Sequence, residues 1–395
     1  MGSRRLVIGS LVIAAVAGSC SAGPAKAQET IKIGFFAPVT GAFAENGRQM
    51  LAALKLYVEE HGTRVAGKTL EIITRDDGGV PDQARRIAQQ LIVEDKVAVL
   101  AGFNPTPVAL AVAPLATAAK IPLVVSGSSA STTMQRSPYI VRTFSSQAQV
   151  TIPMAEWALK NGIKRVVTLV VDYAPGVDTE KAFVEAYKAG GGEIIESVRA
   201  PLQNPDFAPF LQRARDDKPE ALFVWIPGGL AGTFLKQYVE RGLQTSGIPL
   251  IGTGDITDDD VLNQMGNELI GVTTSLQYSA AHPSAINKAF VEGFKRVSGG
   301  VRPDHIGVAA WDAVHLIYAA LAKTGGNADG DTLLAAMKGM AWESPRGPMS
   351  IDPETRDVVQ DIYIRRVERR DGELYNIEFD KYVAVKDPGN TATPK

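Results

Sequence analysis

Hydrophobic residues follow two alternating patterns along most of the chain. Short runs rich in Val, Ile and Leu predict buried strands, and segments with an apolar residue every three or four positions predict helices between them. The predicted strands lie at 31–36, 70–74, 97–101, 123–125, 165–171, 193–198, 221–226 and 250–252. The predicted helices lie at 49–60, 82–94, 108–119, 179–189, 207–216 and 230–241. Such alternation favours parallel sheets covered on both faces, in two open α/β units near residues 30–147 and 148–275.

The remaining third of the chain does not form a domain of its own. Its predicted helices lie at 283–298, 304–324 and 331–338, and its predicted strands at 348–351, 361–367 and 375–383. These elements are too small to fold alone, so we expect them to complete the two sheets, with several chain crossings that form a hinge. The predicted organisation is lobe 1 (28–147 with 277–353), lobe 2 (148–276 with 354–385) and a flexible tail (386–395).

The first 27 residues are typical of a cleavable secretory signal peptide. Arg4 and Arg5 precede an apolar run at 6–17, which is short for a membrane span, and Ala25-Lys26-Ala27 offers a cleavage site. Two alternatives are a transmembrane anchor and lipid attachment at Cys20, although Ala17-Gly18-Ser19 before it lacks the usual Leu. The signal peptide predicts export to the periplasm.

Composition and motifs exclude several classes of function. With 41 basic and 43 acidic residues the net charge is −2, so no nucleic-acid partner is expected, and one cysteine excludes a disulfide framework. The four histidines form no metal-binding motif, and P-loop and G-x-S-x-G motifs do not occur. The acidic runs at 76–77 and 258–260 are interpreted as helix or turn caps. We therefore predict a monomeric binding protein that is not an enzyme and has no metal or cofactor.

Six loops that follow predicted strands are rich in small, hydroxylated and glycine residues. They lie at 38–47, 102–106, 126–131, 172–176, 227–229 and 253–255. Ligands of open parallel sheets bind beyond the carboxyl ends of the strands, and helix N-termini there favour anions. Ser, Thr and Gly are also ordinary cap residues, but six such loops on two similar units predict a site for a carboxylate. The candidates from the first two loops include Phe43, Asn46 and Asn104.

Three motifs in the first unit resemble those of the leucine/isoleucine/valine-type periplasmic binding proteins of ABC importers. They are Gly34-x-x-x-Pro38-x-Thr40-Gly41 with Gly47, then Asp76-Asp77-x-x-x-Pro81-x-x-Ala84, then 97–130 with Ile121-Pro122-Leu123. The resemblance covers residues 30–385. It implies a type I binding-protein fold, with two Rossmann-like lobes, a three-segment hinge and a ligand enclosed between the lobes. It also implies that the partners are the transmembrane subunits of an ABC permease.

The same resemblance implies which residues bind the ligand. The hydroxyl that receives the ligand carboxylate falls on Thr106, and the next binding turn on Ser128, Ser129 and Ala130, where the family usually has a final Thr. In the second lobe the family's Tyr-Gly becomes Pro175-Gly176, with Tyr173 nearby. The remaining positions fall on Pro227 and Gly228, and Tyr278 is expected to stack on a ring.

The acid that receives a ligand ammonium group in the family falls on Gly254 here, with Asp255 adjacent. A buried ammonium group without a carboxylate partner is unfavourable. We therefore expect a carboxylic acid without an amino group, of the benzoate, phenylpropanoid or arylpyruvate type. If the alignment with the family is shifted by one residue, Asp255 occupies that position, and branched-chain or other amino acids become the alternative ligands. A ligand-sensing regulator on the same fold and a secreted hydrolase or dehydrogenase are further alternatives.

Overall fold

The computed structural model describes residues 30–389, which form two β-sheets flanked by ten α-helices. This is the predicted mixed α/β fold. The predicted signal peptide, the alternative anchor and Cys20 lie outside the described residues, as does the tail from residue 390 onwards.

The first sheet has six strands in the order β2-β3-β1-β4-β5-β6. Its strands are β1 (Thr30–Phe36), β2 (Arg64–Val65), β3 (Lys68–Arg75), β4 (Val99–Gly102), β5 (Leu123–Val125) and β6 (Ile140–Arg142). All neighbours are parallel except β2 and β3. The connecting helices are α1 (Ala44–His61), α2 (Pro81–Val93) and α3 (Thr106–Ala119). Helices on both faces bury the central strands, which explains their continuous apolar runs.

The second sheet has β7–β11 as its parallel part, in the order β11-β10-β9-β7-β8. These strands are β7 (Arg165–Val171), β8 (Glu193–Ala200), β9 (Ala221–Trp225), β10 (Leu250–Thr253) and β11 (Thr273–Leu276). The helices of this unit are α4 (Gln147–Lys160), α5 (Ala174–Ala189), α6 (Ala208–Asp216) and α7 (Gly228–Glu240). The alternation predicted for the second unit is therefore confirmed.

The chain then returns to the first unit and crosses to the second sheet again. Its helices are α8 (Ala285–Ser298), α9 (His305–Lys323) and α10 (Gly330–Met337), and both α8 and α9 pack against α1. Four antiparallel strands follow: β12 (Ala341–Ser344), β13 (Gly347–Ile351), β14 (Val358–Arg370) and β15 (Glu373–Val385). β14 pairs with β11, β13 and β15. The chain thus passes three times between the two units, at 143–146, 277–284 and 338–340.

Two features differ from the elements predicted above. β12 and β13 join the second sheet by hydrogen bonding. The boundaries predicted from the sequence assign residues 277–353 to lobe 1. These boundaries stay a prediction. Helix α4 is absent from the predictions because Pro153 interrupts its pattern. It is nevertheless stable, since Ser146 and Gln149 form a reciprocal capping box.

Helix α9 forms the centre of the core of the first unit. It is the one helix among residues 30–389 that is long and apolar enough to cross a bilayer, but 83% of its apolar window is buried inside the protein. Its apolar character is therefore that of a core helix packed between α1 and the first sheet.

The start of the predicted flexible tail contacts the first unit through Asp387, whereas the flexibility of residues 386–395 stays a prediction. Asp387 is buried, and its Oδ2 lies 2.9 Å from Nη2 of Arg142. Arg142 is fully buried and also donates from Nε to Asp357. A buried guanidinium needs carboxylate partners, which holds this part of the chain against β6.

Candidate functional site

A cavity of about 290 Å³ lies where the loops of the two sheets meet. All six loops singled out in the sequence contribute to its wall, as do the end of β9 and the start of α9. Its wall consists of Ala42, Phe43, Glu45, Asn46, Asn104, Pro105, Thr106, Gly127, Ser129, Phe144, Gln147, Tyr173, Pro175, Trp225, Pro227, Gly229, Asp255, Asp258, Asp260, Val261, Asp304, His305 and Ile306. The volume lies at the small end of the usual range of about 300 to 1,000 Å³ for ligand pockets, which suits a molecule of one ring.

Four helices begin at this cavity without a side-chain cap. α1, α3, α5 and α7 start after Phe43, Pro105, Tyr173 and Pro227, and none of these residues accepts a capping hydrogen bond. Some of the first backbone N–H groups bond to nearby carbonyls, such as Ala44 to Gly41 and Leu230 to Pro227, and the rest are left to other partners. Together with the positive ends of the helix dipoles, they favour an anion in the cavity.

The first loop is held in place by the motif residues that carry the family resemblance. Thr40 donates to Asp76 at 2.7 Å, and the Val39 backbone N–H donates to the same carboxylate at 3.0 Å. Gly47 packs so closely on Pro38 that a Cβ would lie 2.1 Å from the Pro38 carbonyl oxygen. These contacts place Phe43 and Asn46 at the cavity.

Eight of the thirteen predicted ligand-binding residues line the cavity. They are Phe43, Asn46, Asn104, Thr106, Ser129, Tyr173, Pro227 and Asp255. Gly228 begins α7 between two residues of the wall. Their role in binding stays a prediction, because position alone does not demonstrate a contact with a ligand.

Ser128 and Ala130 lie behind the wall rather than on it. The buried hydroxyl of Ser128 donates to Oγ1 of Thr106 at 3.1 Å. Since Thr106 accepts this bond, its own hydroxyl hydrogen is left to donate into the cavity. The carbonyl of Ala130 accepts from the guanidinium of Arg142 at 3.1 Å. Both residues therefore support the binding turn without lining the cavity, and a direct role in binding stays a prediction.

Tyr278 is also misplaced by the sequence prediction. Its side chain is fully buried in the core of the first unit, and its hydroxyl donates to Oδ1 of Asn287 at 3.1 Å. The chain turns toward α8 directly after β11, and the ring of Tyr278 packs against Phe290 in this core instead of lining the cavity.

Gly254 does not mark the loss of an acid from the cavity. A Cβ at this position would lie 2.1 Å from Nη2 of Arg365 and 2.7 Å from Leu276, so the glycine leaves room for a buried guanidinium of β14. The next residue, Asp255, faces the cavity. The interpretation that the cavity has no acid near the end of β10 is therefore wrong.

Asp255 belongs to a larger group of acids on one side of the cavity. We call the carboxyl groups of Asp255, Asp258, Asp260 and Asp304 the acid wall. Asp304 caps α9 through Gly307 N at 2.7 Å, and Asp255 accepts from Thr253 at 2.8 Å. The interpretation of 258–260 as simple caps is wrong for Asp258 and Asp260. Asp259 instead faces away, accepting from Asn376 and the Ala280 backbone N–H.

His305 provides the positive charge next to the acid wall. Its Nδ1 lies 2.7 Å from Oδ1 of Asp258. Burial alone would lower the pKa of His305, but the charge and hydrogen bond of Asp258 raise it to about 10. Burial, with the charge of neighbouring acids, raises the pKa of Asp260 to about 9 and that of Asp304 to about 7. At neutral pH Asp260 therefore keeps its proton, and Asp304 is near the midpoint of its titration.

Donor atoms of Asp258, Asp304 and His305 lie within 4.8 Å of one another, which is close enough to share a metal ion. The imidazole, however, is protonated and paired with Asp258, and a metal ligand must be a neutral imidazole. The chemistry of this donor set fits proton and hydrogen-bond sharing better than metal coordination.

Aromatic rings line the rest of the cavity. They belong to Phe43, Phe144, Tyr173 and Trp225, and the rings of Tyr173 and Trp225 lie 5.5 Å apart between centroids. Burial, with a smaller effect of the Asp255 charge, raises the pKa of Tyr173, which keeps its hydroxyl neutral. A flat apolar ring fits between such walls.

Gln147 joins the two units at the edge of the cavity. Its Nε2 donates to Ser129 Oγ at 2.9 Å, and its Oε1 accepts from Thr179 at 2.9 Å. Gln147, Trp225 and His305 are absent from the predicted site. The signal that identifies Trp225 is its position at the end of a strand, whereas Gln147 and His305 reach the cavity only through tertiary packing.

Comparisons with known proteins agree with this architecture. The sequence model of the family described as periplasmic binding protein matches residues 30–373. The chain is 39% identical over 383 residues to Leu/Ile/Val-binding protein homolog 6 of Brucella abortus (strain 2308), covering 96% of this chain and 98% of that protein.

Two solved structures are similar over nearly their full length. One is a solute-binding protein of an ABC transporter from Rhodopseudomonas palustris BisB5 in complex with 3,4-dihydroxybenzoic acid, with 58% identity, a TM-score of 0.89 and coverage of 92% of this chain and 99% of that chain. The other, from R. palustris, is in complex with 4-hydroxybenzoate, with 39% identity, a TM-score of 0.87 and coverage of 91% and 99%. This chain belongs to the periplasmic binding protein family, with the type I fold of ABC-transporter solute-binding proteins.

Proposed function

We propose that this protein captures a small aromatic carboxylate in the periplasm and delivers it unchanged to an ABC permease. The observation that carries the proposal is a ring-sized cavity with aromatic walls at which four helices begin without side-chain caps. The carboxylate accepts from the hydroxyl of Thr106 and from free backbone N–H groups, and the ring packs between the aromatic side chains.

Binding draws on residues of both units. Thr106 and Phe43 belong to loops of the first sheet, whereas Tyr173 and Trp225 follow strands of the second. A ligand that contacts all four stabilises the closed arrangement of the lobes, because it interacts better with that arrangement than with an open one. The closed form is then the one that docks on the transmembrane subunits.

Isothermal titration calorimetry tests the proposal. The protein is first unfolded and refolded, because this step removes any ligand that co-purifies with it. We expect benzoate, 4-hydroxybenzoate or 3,4-dihydroxybenzoate to bind more tightly than leucine. Thr106→Val should weaken binding about tenfold, the cost of a lost hydrogen bond to a charged group. Thr69→Val, in β3 away from the cavity, is the matched control. The proposal would be contradicted if leucine bound tightly and none of the three benzoates bound.

Import of an amino acid is the second candidate. Asp255 faces the cavity, so a carboxylate is available for an ammonium group after all. One relative is named a Leu/Ile/Val-binding protein homolog, which is in line with this candidate. The calorimetric comparison with leucine separates the two.

The export, oligomeric state and lack of turnover are further parts of the proposal. Cleavage after Ala27 gives a mature chain that begins at Gln28, which intact-mass measurement of the exported protein checks; lipid at Cys20 would appear as added mass. Light scattering should give the mass of a monomer. Recovery of an unaltered ligand after incubation tests the absence of enzyme activity, and any chemical conversion would contradict it.

A further inference from the structure

The acid wall has more hydrogen-bonding capacity than its protein partners use. One oxygen each of Asp255, Asp258 and Asp304 is bonded, to Thr253, His305 and the Gly307 backbone. Asp260 has no hydrogen-bond partner among residues 30–389, although it lines the cavity. Carboxyl oxygens that face a ligand cavity without partners are expected to bind donors on the ligand.

A second observation on the same cavity concerns Trp225. Its side chain is 2% exposed and lines the cavity, yet its indole Nε1 has no hydrogen-bond partner within the described part of the chain. A buried N–H group without an acceptor costs free energy, and an oxygen of a ligand in this cavity can supply the acceptor.

Building on the proposed function, we propose that the acid wall and Trp225 recognise hydroxyl groups on the ring, so the protein selects hydroxylated aromatic carboxylates over unsubstituted ones. A hydroxyl group both donates and accepts, and therefore matches a cavity whose wall contains both carboxyl oxygens and an indole N–H. In this arrangement the ring carboxylate binds at Thr106 and the start of α3.

The charge of the wall also determines which groups are excluded there. Burial already disfavours the charged forms of Asp255, Asp260 and Asp304, as their raised pKa values show. A second carboxylate on the ring would bring a further buried negative charge next to these groups, which is unfavourable. We therefore expect terephthalate to bind far more weakly than 4-hydroxybenzoate, which has a similar shape at its carboxylate end.

The test compares ligands and variants by calorimetry at constant pH. For the wild-type protein we expect 3,4-dihydroxybenzoate to bind at least about tenfold more tightly than benzoate, since its two ring hydroxyls add hydrogen bonds in a buried site. Asp260→Ala and Trp225→Phe should each reduce that ratio by about fivefold, the effect of one hydrogen bond. Asp82→Ala removes an exposed aspartate on α2 and should leave the ratio unchanged.

Ligand substitution keeps the test decisive even if a variant does not fold. 4-Fluorobenzoate is close in size to 4-hydroxybenzoate but has no hydrogen to donate, so we expect it to bind like benzoate. Equal affinity of the fluoro and hydroxy compounds, or a ratio unchanged in both variants, would overturn the hydroxyl proposal while the aromatic-carboxylate function stands. Binding of leucine with none of the aromatic acids would instead overturn the proposed function.

Discussion

Nδ1 of His305 lies 2.7 Å from Oδ1 of Asp258, joining the first turn of α9 to the loop after β10. The two residues are 47 positions apart in sequence and belong to different units of the fold. Their ion pair is buried at the cavity, where it balances part of the charge of the acid wall. The contact therefore couples the arrangement of the two units to the electrostatics of the binding site.

Removing the imidazole should destabilise the protein. His305→Gln removes the cation that contacts Asp258, and breaking a buried pair costs about 3 kcal/mol or more of unfolding free energy. Urea denaturation of ligand-free protein measures the change. Arg48→Gln, which breaks the exposed pair with Glu45, is the control and should cost less than about 1 kcal/mol. Equal effects of the two variants would contradict the buried-pair argument.

Stability of the ligand-free protein should fall as the pH rises from about 4 to 9. Unfolded aspartates lose their protons near pH 3.8, whereas folded Asp304 keeps its proton to about pH 7 and Asp260 to about pH 9. Throughout that window the folded state binds more protons than the unfolded state, so raising the pH favours unfolding. His305 acts in the same direction between pH 6.5 and about 10.

Denaturation curves at pH 5, 6, 7, 8 and 9 measure this dependence. Asp260→Asn removes one of the titrating groups and should make the decline shallower. A stability that rises over this range, or a slope unchanged in the variant, would show that these carboxyl groups do not hold protons in the folded state.

Gly254→Ala should destabilise the fold, because the new methyl group would collide with Arg365 and Leu276. Overpacking of this kind costs about 1 to 3 kcal/mol. Gly232→Ala provides the control: no atom lies within 4 Å of its new Cβ, and alanine favours the helix α7, so stability should stay equal or rise by up to about 1 kcal/mol. A Gly254→Ala variant with unchanged stability would contradict the close approach of Arg365.

Asp387→Asn should weaken the attachment of the chain end to β6. Arg142 is fully buried and would lose one of two carboxylate partners, at a cost of about 1 to 3 kcal/mol. Thermal unfolding monitored by circular dichroism measures the loss. The neighbouring pair of exposed Lys386 with Asp352 is the matched control, and Lys386→Gln should leave the unfolding temperature nearly unchanged.

Local pattern was sufficient to predict the elements of the fold. Strand β7 follows from its uninterrupted apolar run at 165–171, because a strand buried on both faces has no polar side to alternate with. Parallel topology then placed the loops after six strands at one cavity. Helix α4 was not predicted because Pro153 interrupts the helical spacing of its apolar residues. The capping box at Ser146, which stabilises the start of this helix, forms only in the folded chain.

The two α/β units, the family and the loops that meet at the cavity can be predicted from the amino-acid sequence, since periodicity and motifs are properties of neighbouring residues. Which side chain of each loop faces the cavity depends instead on how the two units pack together. Gly254 and Asp255 are adjacent, yet one packs on Arg365 and the other lines the site. The acid wall likewise forms only when 255–260 meets 304–305 across the two units. Such contacts depend on orientation over long chain separations, and no local pattern encodes that orientation.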